Sequence, residues 1–277
     1  MLQRRTADNG VVFYASPLLE RARVPHAFST RIGGSSPTPF DSLNLGNPNG
    51  CDVRDDYDRV WEHYRLLQAA AGCAGRELCH VHQVHGRVVM RVRDGEPIDT
   101  SAKGDAIVGS DRRRVLSVRV ADCVPVLLAT EDGSTVAAVH AGWRGVVAGI
   151  VPAALGAMTA GRKNLVPTAG PARFSGQGVL AAVGPCIGAD AFEVGPEVLE
   201  EFTATFGPDA PVKRRPDGKG TVDLREAVRR QLLMAGVPAS DIDTTDRCTW
   251  RDADEFFSHR RDRGVTGRMA AIISPVA

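Results

Sequence analysis

Residues 115–145 read VLSVRVADCVPVLLATEDGSTVAAVHAGWRG. Two apolar, β-branched runs flank the turn sequence EDGS at 131–134. That spacing predicts an antiparallel hairpin. The second run ends at His140, and AGWRG at 141–145 reads as a tight turn that opens a helix,. Inside the first run stand Asp122, Cys123 and Pro125. Proline cannot donate to a ladder, so it predicts an edge strand or a bulge there. A carboxylate, a thiol and a broken ladder together predict a strand end that opens on a site.

Outward from the hairpin, short extended runs are expected at 10–20, 25–34, 77–92, 104–110, 179–188, 241–249 and 267–276. SSPTPFDSLNLGNPNGCD at 35–52 is dense in turn residues and reads as a long loop, a kind often functional in compact domains,. Residues 55–71 carry Val60, Tyr64 and Leu67 at helical spacing,. Further helices are expected at 145–161, at 195–207 with Pro196 at its start, and at 223–236 with Gly236 past its end,. PVKRRPDGKGTVD at 211–223 reads as a polar loop. The elements do not alternate as βαβ units do. The expected class is α+β: one domain over 1–277 with layered sheets.

A chain of 277 residues can bury a full core without staples,. Its 34 basic and 33 acidic residues give a net charge of +1, which argues against a nucleic-acid partner,. The longest apolar runs, such as VPVLLA and AAIISPVA, fall far short of the ~20 residues of a bilayer span,. MLQRRTADNG lacks the apolar core of a signal peptide,. Cysteines 51, 73, 79, 123, 186 and 248 are scattered rather than framed as disulfides,. A cytoplasmic protein with reduced thiols, and no membrane partner, is the expectation.

CHVHQVHGRVVM at 79–90 holds three of the seven histidines. In an extended strand, His80 and His82 share one face, while His85 falls on the other with Gln83. That separates them unless a bulge intervenes. His85, Cys123 and His140 form a normal zinc ligand set, and three protein ligands leave a fourth position for water or substrate. They lie 38 and 17 residues apart, with no CxxC or HExxH pattern. Each also has a plainer reading: a histidine at a strand end is often structural, and a cysteine in an apolar strand behaves as a small hydrophobe. The AGWRG turn would offer backbone N–H groups to an anion, and Arg144 a bidentate phosphate contact; the plainer reading is a glycine turn with a surface arginine.

QVHG, ADCVPVLL, HAGWRG and GPCIGADAFEVGPEV, with FSTRIGGSS, SLNLG and DRCT…FFSHRRDRGVTGR, strongly resemble one family. It is named variously as YfiH-like, multicopper polyphenol oxidase or laccase-domain, purine nucleoside phosphorylase, and peptidoglycan editing factor. The resemblance runs from about Phe28 to Arg268. It implies a layered α/β/β/α sandwich, similar to the catalytic domain of the Rho-activating cytotoxic necrotizing factor. It implies one catalytic zinc ion (Zn2+) on His85, Cys123 and His140, with Arg31 and Asn44 lining the same pocket. It supplies no role for His80 and His82.

The function it implies is phosphorolysis of adenosine, inosine, guanosine and methylthioadenosine, with adenosine deamination. The expected partners are purine nucleosides and phosphate, with Arg31, Arg144 and the AGWRG turn as phosphate donors. Asp122 and His82 are candidates for the acid that protonates the leaving base. Three other readings stand beside it. One is a cytoplasmic hydrolase that edits peptidoglycan precursors. Another is a copper-dependent polyphenol oxidase, although one H-x-H pair is few for a multicopper site. The last is a non-catalytic metal scaffold, against which an open zinc position argues.

Overall fold

The computed structural model describes residues 1–48, 50–96, 99–159 and 178–276. In chain order the strands are β1 (Gln3–Thr6), β2 (Val12–Ala15), β3 (His26–Ser29), β4 (Glu77–Cys79), β5 (Val89–Val92), β6 (Ala106–Gly109), β7 (Arg114–Val120), β8 (Val124–Thr130), β9 (Val136–Ala141), β10 (Val179–Val183), β11 (Glu193–Val194), β12 (Val212–Arg214), β13 (Gly220–Val222), β14 (Ile242–Asp243) and β15 (Met269–Ile273). The helices are α1 (Pro17–Arg21), α2 (Tyr57–Ala70), α3 (Trp143–Ala148), α4 (Ile150–Thr159), α5 (Pro196–Phe206) and α6 (Leu224–Met234).

β8 and β9 form the expected hairpin, in register from Val124 opposite Ala141 to Ala129 opposite Val136. They sit inside a six-stranded sheet of order β14-β10-β8-β9-β6-β5. A second sheet has the order β1-β2-β3-β15-β7-β4, and β11-β13-β12 make a small third one.

Alternation along the strands sets the layers. Leu127, Ala129, Val136 and Ala138 point to the second sheet and pack with Leu116, Val118, Ala271 and Ile273. Val126, Leu128, Ala137 and Val139 point the other way, under Val146, Leu155, Phe202 and Val228 of α3 to α6. Beyond the second sheet, Val115, Ala270 and Ile272 pack with Val60, Tyr64 and Leu67 of α2. The order is helix, sheet, sheet, helix. Both faces of the central strands are covered, which is why VPVLLAT is apolar at nearly every position. Truncating a fully buried residue such as Leu127 costs about 2–5 kcal/mol,.

The helix ends follow their sequences. Asp56 caps α2 by accepting from the N–H groups of Asp58 and Arg59, and Asp223 caps α6 through Glu226. Among the described residues, no helix is long and apolar enough to cross a membrane.

Several expectations need correction. Residues 115–130 are not one strand: β7 and β8 belong to different sheets, and the chain changes sheet at Asp122, whose φ is +90°. β8 is interior, not an edge. Pro125 is tolerated near its start because its carbonyl faces Gly184 N–H, just past the end of β10, so no ladder partner lacks its missing N–H. Residues 77–92 also divide, into β4 of one sheet and β5 of the other. The helix expected at 145–161 breaks at Gly149, with φ +82°, into α3 and α4; its last two residues lie outside the described ones. The polar loop at 211–223 contains the hairpin β12–β13. After Pro17 the first expected strand becomes α1, capped by Ser16.

Candidate metal centre and its cavity

Both sheet crossings, at residues 80–88 and 121–123, open at the end of the sandwich where β9 finishes. His85 stands on the first crossing, Cys123 on the second, and His140 near the end of β9. The topology therefore gathers residues that the sequence holds far apart. Their ligand atoms all lie within 4.8 Å of one another, so the three could hold a metal ion. The His85 and His140 rings meet edge to face, with centroids 4.8 Å apart.

Asp105, just before β6 and fully buried, ties the group together. Its Oδ1 accepts from His85 N–H at 2.8 Å and its Oδ2 from Gly86 N–H at 2.6 Å. Oδ1 also lies 2.8 Å from Nδ1 of His140. A carboxylate only accepts, so Nδ1 carries a proton; once Nε2 gives up its own, its lone pair is free for a metal. The Asp105 clamp also holds His85 in a left-handed conformation, φ +61°. Gly142 leaves the space that three ligands need: a Cβ there would stand 2.8 Å from His85 Cδ2 and 3.1 Å from Cys123 Sγ.

The electrostatics suit a thiolate ligand. Burial pushes the Cys123 thiol up, but the charge of His140 and hydrogen bonds from His140 and His85 outweigh it and bring it to about 6. Burial pulls His140 down, yet Cys123 and Asp105 overcome that and raise it to about 9. Asp105 is held below the usual carboxylate range: burial opposes, and the His140 and backbone donors win. A cysteine deprotonated near neutral pH is ready for a metal, which needs the thiolate. Two imidazoles and a thiolate fit zinc, and the carboxylate–histidine contact of Asp105 with His140 fits it further,.

A cavity of about 360 Å³ opens beside the trio. Its walls include His85, Cys123 and His140, the aromatic rings of Trp143 and Phe192, and Arg119, Arg260 and Arg268. Asp122 also lines it, but its Oδ1 accepts from Thr249 Oγ1 at 2.6 Å and its Oδ2 from Arg260 N–H at 2.7 Å. His82 lines the cavity and is exposed. His80 does not: its ring lies edge-on to Trp61, 6.0 Å away.

The expectation that Arg31 and Asn44 line this cavity is not met. Arg31 is turned to Asp41 in an ion pair at 3.0 Å and lies over the Phe257 ring. Asn44 is fully buried behind the wall, accepting from Arg268 N–H and donating to Asp55. Arg144 is exposed, lies over the Trp143 ring and is not among the residues that line the cavity. Asp105, Arg119, His259, Arg260 and Arg268 were not singled out by the sequence reading. An acid heading the buried strand run DAIVG, and charges set among the apolar residues of FFSHRRDRGVTGR, were the signals available.

A sheet-rich α+β fold with a His–Cys–His group that could hold a metal ion, facing an open cavity, sets the class to which the chain is compared. Residues 25–275 match the family described as multi-copper polyphenol oxidoreductase laccase, and the chain belongs to that family. Purine nucleoside phosphorylase YfiH of Escherichia coli (strain K12) is 38% identical over 245 residues, covering 88% of this chain and 91% of that protein. Purine nucleoside phosphorylase of Deinococcus radiodurans is 38% identical over 250 residues, covering 90% and 88%. The crystal structure of YlmD from Geobacillus stearothermophilus superposes with a TM-score of 0.84 at 31% identity, covering 99% of each chain. A Bacillus licheniformis protein, YfiH, gives 0.83 at 27% identity, covering 99% of each chain.

Proposed function

We propose that the protein is a zinc-dependent purine nucleoside enzyme. It cleaves adenosine, inosine, guanosine and methylthioadenosine with phosphate to the base and ribose-1-phosphate, and it deaminates adenosine. The observation that carries this reading is the His85–Cys123–His140 group on the wall of a cavity with aromatic faces. The names of the relatives support the phosphorylase part.

When bound, zinc supplies a Lewis acid that activates water or polarises an acceptor on the substrate. The chain's own residues do the rest. Asp105 fixes the tautomer and direction of His140 and the turn that carries His85. Trp143 and Phe192 offer apolar faces to a flat purine, which prefers stacking to water,. Asp122, through Thr249 and the Arg260 backbone, holds the crossing that presents Cys123.

The test joins metal analysis to a nucleoside assay. The purified protein will contain about one zinc per chain, as a single three-ligand site predicts. His85→Ala and Cys123→Ala will each abolish phosphate-dependent release of adenine from adenosine. Unchanged release in both variants sinks the zinc mechanism. The family's descriptive name favours one second reading, a copper-dependent phenol oxidase. Two histidines and a cysteine also suit copper. Sustained oxygen consumption with a phenol, after copper loading and removal of loose metal, would establish that reading instead.

A further inference from the structure

The cavity holds three guanidinium groups without a carboxylate ion pair among the described residues; that of Arg260 donates to the Glu193 carbonyl and lies over the Phe192 ring, which leaves two to account for. Arg119 and Arg268 both line it, and neither forms an ion pair among the described residues. Nη1 of Arg268 donates to the carbonyls of Thr266 and Gly267 at 3.0 and 2.9 Å. Its Nε and Nη2, and every side-chain N–H of Arg119, have no protein acceptor among the described residues. The carboxylate that lines the same cavity, on Asp122, already accepts from Thr249 and Arg260. Like charges kept together in a half-buried wall repel unless an anion joins them.

The fold seats both groups deliberately. Gln83 clamps the Arg119 backbone, donating from Nε2 to its carbonyl and accepting its N–H at Oε1, each at 2.8 Å. The Arg119 side chain then runs over Gly46, where a Cβ would stand 2.8 Å from Arg119 Cδ. Two residues earlier, Asn44 Oδ1 accepts from Arg268 N–H at 2.9 Å, and Leu45 N–H donates to the Arg268 carbonyl at 2.9 Å. One short stretch, 44–46, therefore positions both arginines beside the metal-ligand trio.

We propose that Arg119 and Arg268 form an oxyanion subsite that takes inorganic phosphate as the co-substrate. Two planar forks that share one tetrahedral anion give bidentate contacts that water or a single lysine cannot match. The identity of the anion rests on the phosphorolysis reading above; the existence of the subsite rests on the geometry alone.

The test titrates inorganic phosphate into the purified protein by calorimetry, in wild type and in Arg119→Gln, Arg268→Gln and Arg144→Gln. Phosphate affinity falls about tenfold or more in the first two and is unchanged in the third, which removes an exposed charge outside the cavity. In the assay, KM for phosphate rises correspondingly while KM for adenosine stays within about twofold. Gly46→Ala keeps every charge and displaces Arg119, so weakened phosphate binding there supports the subsite even if Arg119→Gln folds poorly. Phosphate affinity within about twofold of wild type in both glutamine variants overturns the subsite. Succinate bound as tightly as phosphate, and lost with the same arginines, overturns the phosphate assignment in favour of a carboxylate ligand. Arginine-dependent phosphate binding without base release from any nucleoside leaves the subsite standing and overturns the phosphorylase reading.

Discussion

Oδ1 of Asp105 lies 2.8 Å from Nδ1 of His140, inside the core and out of reach of solvent. The same carboxylate accepts from the backbone N–H groups of His85 and Gly86. One buried acid thus orients the ring of His140 and holds the loop of His85, two of the three candidate ligands. Asp105→Asn keeps acceptor capacity and loses the charge. Metal affinity is expected to fall about 10–100-fold, as for other partners of metal-bound histidines. Competition against a chelator of known affinity measures it. Asp105→Ala leaves the donors of His85, Gly86 and His140 unpaired, and denaturant unfolding should show a loss of about 3–5 kcal/mol. Wild-type metal affinity in Asp105→Asn would refute the positioning role.

Gly142→Ala separates the site from the fold. The φ of Gly142 is −72°, which alanine adopts freely, so the backbone should survive. The added Cβ would meet His85 Cδ2 at 2.8 Å and Cys123 Sγ at 3.1 Å, and the ligands must shift. A displacement of this order costs about 100-fold in activity when reacting groups are misplaced. The expected result is a melting temperature near wild type with sub-stoichiometric zinc. Full metal content with full activity would show that the trio tolerates a wider cradle.

The candidate trio was easier to read in the sequence than the frame that gathers it. His85, Cys123 and His140 stand in recognisable motifs, and the hairpin that carries His140 and begins just after Cys123 follows from EDGS between apolar runs. The caps of α2 and α6 were equally legible, because an Asp before a periodic apolar stripe acts locally. What failed were inferences that assumed a continuous strand. Period-2 reasoning placed His80 and His82 on one face and His85 on the other, but residues 80–88 cross between sheets and His85 adopts a left-handed φ. Pro125 suggested an edge, yet β10 ends just where the missing N–H would have been needed. Asp105, Arg119 and Arg268 were hidden because their roles depend on partners 20 to 224 residues away.

His80 should make the fold acid-sensitive. Burial, then the charge of Arg119, pulls it from 6.5 to about 4. Between those values the unfolded chain binds a proton that the folded chain does not. Stability is therefore fully present above 6.5 and is lost as pH falls toward about 4,. His80→Phe should flatten that slope in unfolding measurements at pH about 7.5 and about 5. His26 and His259 are lowered in the same direction, so the slope shrinks without vanishing. An unchanged slope in the variant would contradict a neutral, half-buried His80.

Asp122 serves the site as a strut, and the choice of replacement can show it. Its oxygens accept from Thr249 Oγ1 and Arg260 N–H, at a φ of +90° that asparagine tolerates better than most residues,. In Asp122→Asn the amide oxygen can accept from Arg260 while the amide nitrogen donates to Thr249, so both contacts persist. Activity should stay within about tenfold of wild type, below the 10²–10⁴ expected when a general acid is removed. Asp122→Ala leaves the Arg260 N–H without its acceptor and the Thr249 hydroxyl without its partner, costing about 1–3 kcal/mol in stability and loosening the crossing that presents Cys123. Zinc content and kcat should then fall together. If Asp122→Asn instead loses base release completely at wild-type stability and zinc content, the carboxylate is the proton donor and not a strut.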